Sequence, residues 1–355
     1  IRLGSLEIDA GKLNDAENIF SELEDLIKDL DRPMDKTSLH HKKGVLNLYK
    51  GNMEKALSEF TASNTLCQTH NYKNQSIQAM GNMAVINNIQ GKYGEAIDIF
   101  KEMMVVAEEL GDRKSVAQTY GNIGLSYMYM KKYEPAITYF NIQIAISSKM
   151  NDNYSIGASN NNISYTYVLS GEYKKAVEHA LEAIRVNEKN GIPETQAQAC
   201  DNLGLAYIQL GEFKNAEKYY MEAIDIFSEV GNKHGIAEVE GGLGIIHMEE
   251  KNIDKSIQYF TSALEEFEKI KDQRHLAIYY LKRSQAFVKK KDFKAAGADI
   301  EKSLEYSKSI NDESLEFQGN IYKVINDIKL SNSDKLKLVI EINKLKDDSL
   351  SDEDQ

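Results

Sequence analysis

Apolar and polar residues along this chain follow a helical period, and the pattern itself recurs at a longer one. The stretch from Ala117 to Ile144, AQTYGNIGLSYMYMKKYEPAITYFNIQI, holds two short amphipathic helices in succession. Its apolar residues stand three and four apart, with a polar break at Lys131 and Lys132. Taking Ala136 as a mark and stepping by forty reaches Ala16, Ala56, Ala96, Ala136, Ala176, Ala216, Ser256 and Ala296. Twelve residues before each stands another small residue: Gly4, Gly44, Ala84, Gly124, Ser164, Gly204, Gly244 or Ser284. Four residues after each stands Phe20, Phe60, Phe100, Phe140, Ala180, Tyr220, Phe260 or Ile300. A fixed period of this size, kept through eight steps without an insertion, predicts an array of helix–turn–helix units.

The pattern has a packing rationale. Two antiparallel helices approach to about 8–10 Å where small side chains face each other. The small residue of each first helix and the Ala of each second helix supply that approach, and the following aromatic is expected to fill the space between neighbouring units. Gly11, Gly51, Gly91, Gly171 and Gly211 mark the turn inside a unit, with Lys131, Lys251 and Lys291 in the same place. Second helices are expected to end at Asn71, Gly111, Asn151, Gly191, Gly231 and Asn311, residue types that accept a left-handed backbone. Asp112, Asp152, Asn232, Asp272 and Asp312 then suit the N-cap of the next first helix. Pro33, Pro135 and Pro193 fall at helix starts, where the missing N–H is harmless.

These spacings resemble the tetratricopeptide repeat (TPR) family over residues 1–310. The unit is forty residues rather than thirty-four, and Glu108, Glu188 and Glu268 stand where the family often has a late proline. Both departures imply longer helices, as in Pins-type adaptors and Rap-type bacterial regulators. The resemblance implies an all-α, right-handed superhelical TPR solenoid of about eight repeats with a C-terminal capping helix pair. The expected units are 1–31, 32–71, 72–111, 112–151, 152–191, 192–231, 232–271 and 272–311, within an array spanning 1–312. Capping helices follow over 313–346, and the acidic stretch DDSLSDEDQ, 347–355, reads as a disordered tail. If Gly4 belongs to a first helix, the chain opens in mid-helix, as a piece of a longer protein would.

Composition narrows the function classes. The 355 residues carry a net charge of -12 with no Lys/Arg-rich stripe, which argues against a nucleic-acid partner. No apolar run approaches the roughly 18 residues of a membrane span, so no membrane insertion is expected. Cys67 and Cys200 lie far apart and read as buried small residues of a reducing, cytoplasmic compartment. No motif calls for a cofactor or a metal.

The sharpest chemical signal lies on the first helices. Residues spaced four, three and four apart share one helix face, and the resemblance implies that this face lines a concave groove. Two residues before the small anchor it reads Lys42, Asn82, Asn122, Asn162, Asn202, Gly242 and Lys282. An Asn amide offers donors and an acceptor, so it can hold both polar groups of one peptide unit. A regular row of Asn can therefore follow an extended ligand's backbone without reading its side chains. The resemblance implies the same role, since Pins-type adaptors, kinesin light chains and peptide-sensing TPR regulators hold extended peptides with Asn here. Gln78, Gln118 and Gln198 precede the row by one turn, while Ala158 and Glu238 break that series. Asn161 and Asp201 stand beside it, Tyr129 and Tyr165 add area on the same wall, and Gly81, Gly121 and Gly241 leave room for a close partner. Asn also suits tight helix packing whatever the ligand.

Other candidates are weaker. His40 and His41 are adjacent, so they point to different faces and make a poor metal pair. His247 replaces the Tyr seen at Tyr127, Tyr167 and Tyr207 and reads as interior. No catalytic arrangement shows motif-level spacing. The expected function is therefore that of a non-catalytic scaffold or receptor holding a peptide or protein segment in its groove. The alternatives are a sensor region of a larger signalling protein or enzyme, or a structural spacer in an assembly. Rap-type regulators carry phosphatase activity in an N-terminal helical bundle, and nothing matching that bundle precedes these repeats.

Overall fold

A computed structural model describes residues 5, 8 and 11–331. Among these the chain forms sixteen α-helices and no strand. In order they are α1 (Leu13–Ile27), α2 (Pro33–Tyr49), α3 (Met53–Thr69), α4 (Lys73–Ile89), α5 (Tyr93–Glu109), α6 (Arg113–Tyr129), α7 (Tyr133–Met150) and α8 (Asn153–Ser170). The rest are α9 (Tyr173–Asn190), α10 (Pro193–Leu210), α11 (Phe213–Val230), α12 (Lys233–Glu249), α13 (Ile253–Ile270), α14 (Gln273–Lys290), α15 (Phe293–Ser309) and α16 (Glu313–Ser331). The expected helix over 335–346, the acidic tail and the segment around Gly4 lie outside the described residues. The chain divides into two compact units, 1–170 and 171–355.

Within each unit every helix packs on its sequence neighbours. First helices also touch the next first helix, α6 with α8 in one unit and α10 with α12, α12 with α14 and α14 with α16 in the other. Second helices pack less closely on one another, so the first helices lie on the inner side of each unit.

The marks read from the sequence occupy the closest contacts. Ala16, Ala56, Ala96, Ala136, Ala176, Ala216, Ser256 and Ala296 have no exposed surface. Ser256 is tolerated among the alanines because its Oγ donates to the Gly244 carbonyl at 2.7 Å. The aromatic rings lie over the small residue of their own repeat's first helix and also reach the next repeat: a Cβ on Gly44 would stand 2.7 Å from the Phe60 ring and one on Gly124 would stand 2.7 Å from the Phe140 ring, while the Tyr220 ring lies against Gly204 of its own repeat and Gly242 of the next. Where that residue is glycine, the ring occupies the space that the missing Cβ leaves. Phe60 does reach the following unit through Ile86.

The turns follow one plan. Lys131, Lys251 and Lys291 adopt φ of 58°, 67° and 67°, the left-handed conformation that glycine holds at Gly51, Gly91 and Gly211. At the first of these lysine turns Lys132 N donates to the Tyr127 carbonyl and Lys131 N to the Met128 carbonyl, both at 2.9 Å, closing the helix end. Asp112, Asp152, Asn232, Asp272 and Asp312 each accept from the backbone N–H three residues on, at 2.9–3.2 Å. The expected caps are therefore formed. Both cysteines are free and buried, and no described helix is long and apolar enough to cross a membrane.

Candidate functional site

Stepping four, three and four along a first helix gives the face that the hairpin core leaves uncovered. On α4 it is Gln78, Asn82, Val85 and Ile89; on α6, Gln118, Asn122, Leu125 and Tyr129; on α8, Ala158, Asn162, Tyr165 and Leu169. None of these carries a charge, on a chain whose net charge is -12. Gln78 and Gln118 are exposed, and Asn82, Asn122 and Asn162 are half-buried. The side-chain amides of these three Asn bond no other described residue. The lower part of the face is apolar and open: Val85 is 42% exposed, Ile89 61%, Tyr129 52%, Tyr165 37% and Leu169 42%. Tyr129 is steadied by stacking on Tyr93 at 5.9 Å.

Asn161 is different. It is 8% exposed and belongs to the packed interior of α8, so its place beside the row is structural. Two of the glycines are also consumed internally: a Cβ on Gly121 would meet Gln143 at 2.2 Å, and one on Gly241 would meet Tyr279 at 2.1 Å. They admit neighbouring side chains of the same chain, not a partner. Gly81 has only an ordinary contact, Met103 Sδ at 3.6 Å.

In the second unit α10 carries residues of the same types at the same repeat positions, with Gln198 exposed and Asn202 and Asp201 half-buried. Beyond α10 the face becomes charged, through Glu238 and Glu249 on α12 and Lys282 and Lys289 on α14. Asp201 is pushed up to about 8, first by burial and then by the negative charge of Glu238, with His275 acting against both. This acidic carboxyl therefore senses a cluster that sequence reasoning missed. His234 and Glu238 on α12 meet His275 and Asp272 at the start of α14. His234 and Glu238 are four apart on one helix face and His275 lies one repeat further on, which is the signal that would have found them.

The weaker candidates resolve as packing. His40 Nδ1 lies 2.7 Å from Glu59, His41 stands edge-on to Phe60 at 5.3 Å, and His247 is 3% exposed and stacks on Tyr259 at 5.3 Å.

Tetratricopeptide repeat family models match residues 75–141 and 115–189, and a second such model matches 197–229. By sequence, no curated protein matches. Among solved structures, aspartyl phosphate phosphatase F from Bacillus subtilis is similar with a TM-score of 0.63 at 17% identity, over 97% of this chain and 91% of that one. The apo form of RapI has a TM-score of 0.61 at 15% identity, over 76% of this chain and 96% of that one. A Rap protein complexed with Competence and Sporulation Factor has a TM-score of 0.58 at 16% identity, over 93% and 97%. Residues 75–189 and 197–229 are thus tetratricopeptide repeats, and the chain shares its fold with the Rap-type regulators.

Proposed function

We propose that the first-helix face of the first unit holds an extended peptide, and that the protein works as a peptide-binding receptor or scaffold rather than as an enzyme. The observation that carries this is the pairing of two rows on α4, α6 and α8. Asn82, Asn122 and Asn162 present amides at the repeat spacing, and Val85, Ile89, Tyr129, Tyr165 and Leu169 run beside them as an open apolar strip. Paired donors and acceptors suit a ligand's backbone. The apolar strip suits its alternate side chains, and the lack of charge disfavours strongly charged segments. Gln78 and Gln118 extend the polar row, and α10 of the second unit carries a like set in Gln198, Asp201 and Asn202. A fold neighbour bound to Competence and Sporulation Factor agrees with this reading.

The test is the double change Asn122→Ala with Asn162→Ala. Each lost hydrogen bond is worth about 0.5–1.5 kcal/mol, so affinity for a bound peptide should fall by roughly one to two decades. Lys101→Ala is the control, on the exposed side of α5. A peptide that binds the double variant as tightly as the unaltered chain would move the site off this face.

A further inference from the structure

The second unit carries a closed ring of two imidazoles and two carboxylates. Asp272 Oδ2 lies 2.8 Å from His275 Nδ1 and 3.1 Å from His234 Nε2. On the other side, Glu238 Oε2 lies 3.3 Å from His234 Nδ1 and Glu238 Oε1 lies 3.2 Å from His275 Nε2. Each imidazole is thus held between the two carboxylates, with a different nitrogen turned to each.

Asp272 Oδ2 lies within hydrogen-bond reach of both rings, so each neutral ring can direct its N–H there, and the other Asp272 oxygen accepts from His275 N as the cap of α14. With their protons directed there, His234 Nδ1 and His275 Nε2 turn lone pairs toward the two oxygens of Glu238. A lone pair facing a carboxylate calls for a proton or a metal cation between them. A divalent ion there balances the charges of Glu238 and Asp272. The first turns of α12 and α14 bring the positive ends of their helix dipoles to this place, but each is worth about half a charge, and two carboxylates outweigh them.

We propose that His234 Nδ1, Glu238 and His275 Nε2 bind one divalent transition-metal ion of the Zn²⁺ type, with Asp272 as the carboxylate that holds both rings. One ligand atom from each of His234, Glu238 and His275 lies within 4.8 Å of the others. The N···O spacings of 3.3 and 3.2 Å, one to each oxygen of Glu238, are each close to the ligand–ligand distance in a tetrahedral site of about 2.0 Å bonds, the kind in which zinc is held by imidazole and carboxylate. Imidazole with one carboxylate selects Zn²⁺ and its borderline neighbours over Mg²⁺ and Ca²⁺. A carboxylate behind the ligating rings is the usual outer partner of such a site.

The surroundings hold the rings in place. Phe267 stacks on His275 at 4.8 Å and stands edge-on to His234 at 5.6 Å. Gly235 is what lets α12 close on that ring, because a Cβ there would stand 2.7 Å from Phe267. Glu238 and the two His keep about a quarter to two-fifths of their side-chain surface open, so an ion can enter and a further ligand can reach it. Bound there, the ion would clip α12 to α14 across a repeat step.

The test uses the full chain without an affinity tag, stripped with EDTA and titrated calorimetrically with Zn²⁺, and with Co²⁺ for its visible spectrum. One equivalent should bind, with a tetrahedral Co²⁺ spectrum and a Zn²⁺-dependent rise in the melting temperature. Glu238→Gln or His275→Ala should abolish the stoichiometric binding. Asp272→Asn keeps a good N-cap but loses the acceptor for two rings, and should weaken binding about 10–100-fold. His70→Ala, exposed on another helix end, should change nothing. Absence of stoichiometric binding to the folded wild-type chain, or Zn²⁺ affinity unchanged in a folded Glu238→Gln variant, would overturn the proposal and leave the ring as four salt-bridged side chains.

Discussion

Changing Gly204 to Ala tests the packing logic at its tightest point. A Cβ on Gly204 would stand 2.4 Å from Tyr220 Cε1, where ordinary contact begins at 3.4 Å. The ring has no free direction in which to retreat, because a Cβ on Gly242 would meet its other edge at 2.5 Å. Tyr220 is 2% exposed and is clamped between α10 and α12. Overpacking a well-filled site costs about 1–3 kcal/mol, and a ring held on both sides puts this case near 3. Alanine in mid-helix recovers about 1 kcal/mol over glycine, leaving a net loss of about 2 kcal/mol. Gly94→Ala is the opposite case, with the same atom added in a helix where nothing lies within 4 Å. There only the propensity acts, and the variant should gain about 0.5–1 kcal/mol. Repeat arrays unfold locally, so the readout is hydrogen exchange by mass spectrometry together with urea denaturation. Gly204→Ala should lose protection first in α10, α11 and α12. A second change, Tyr220→Leu, should be less costly on the Gly204→Ala background than alone, because the clash is then absent. Wild-type protection in Gly204→Ala, or a loss of stability in Gly94→Ala, would refute the reasoning.

Two further outcomes follow from local chemistry. Lys131 holds φ of 58°, a conformation that costs a residue with a side chain about 1–2 kcal/mol, so Lys131→Gly should raise the thermal midpoint, and more than Asn71→Gly, since Asn tolerates that region. Glu59 is 19% exposed and lies 2.7 Å from His40 Nδ1 and 3.2 Å from Lys43. Burial alone would raise its carboxyl, but the hydrogen bond from His40 and the charge and hydrogen bond of Lys43 outweigh it and hold it below the usual value of 4.5. A depressed carboxyl contributes stability above its unfolded pKa and loses it as pH falls. Protection factors in α2 and α3, corrected for the intrinsic exchange rate, should therefore fall as pH drops below about 4.5, and Glu59→Gln should flatten that dependence.

The fold was legible because its constraints are local and repeated. Ala136 and its seven counterparts must be small for two helices to meet, and a left-handed residue must end each helix, so the forty-residue step shows in residue type. Even Lys131, Lys251 and Lys291, poor residues for that backbone, were placed correctly by the period alone. What was not legible depended on which neighbour reaches a given gap. Gly121 and Gly241 read as space, yet Gln143 and Tyr279 fill them from other helices. Asn161 shares a residue type with the row but faces the interior, because one step along a helix turns the side chain by about 100°. The His234, Glu238, His275 and Asp272 ring joins two helices across a repeat boundary, and its residue types belong to no short motif. The open strip of Val85, Ile89 and Leu169 was within reach, since it lies on the same four-three-four face as the asparagines.

The central claim is that the first-helix face of the first unit grips a ligand by its backbone. The direct measurement is a backbone scan of a linear peptide selected against the chain from a display library. N-methylating successive ligand amides removes one donor at a time without changing side chains. If Asn82, Asn122 and Asn162 hold the backbone, methylation at the amides facing them should weaken binding about tenfold each, while alanine replacements of polar side chains are tolerated. The losses at two of those amides should disappear in the Asn122→Ala, Asn162→Ala variant. A peptide that tolerates N-methylation throughout but loses its affinity on side-chain replacement would contradict backbone capture.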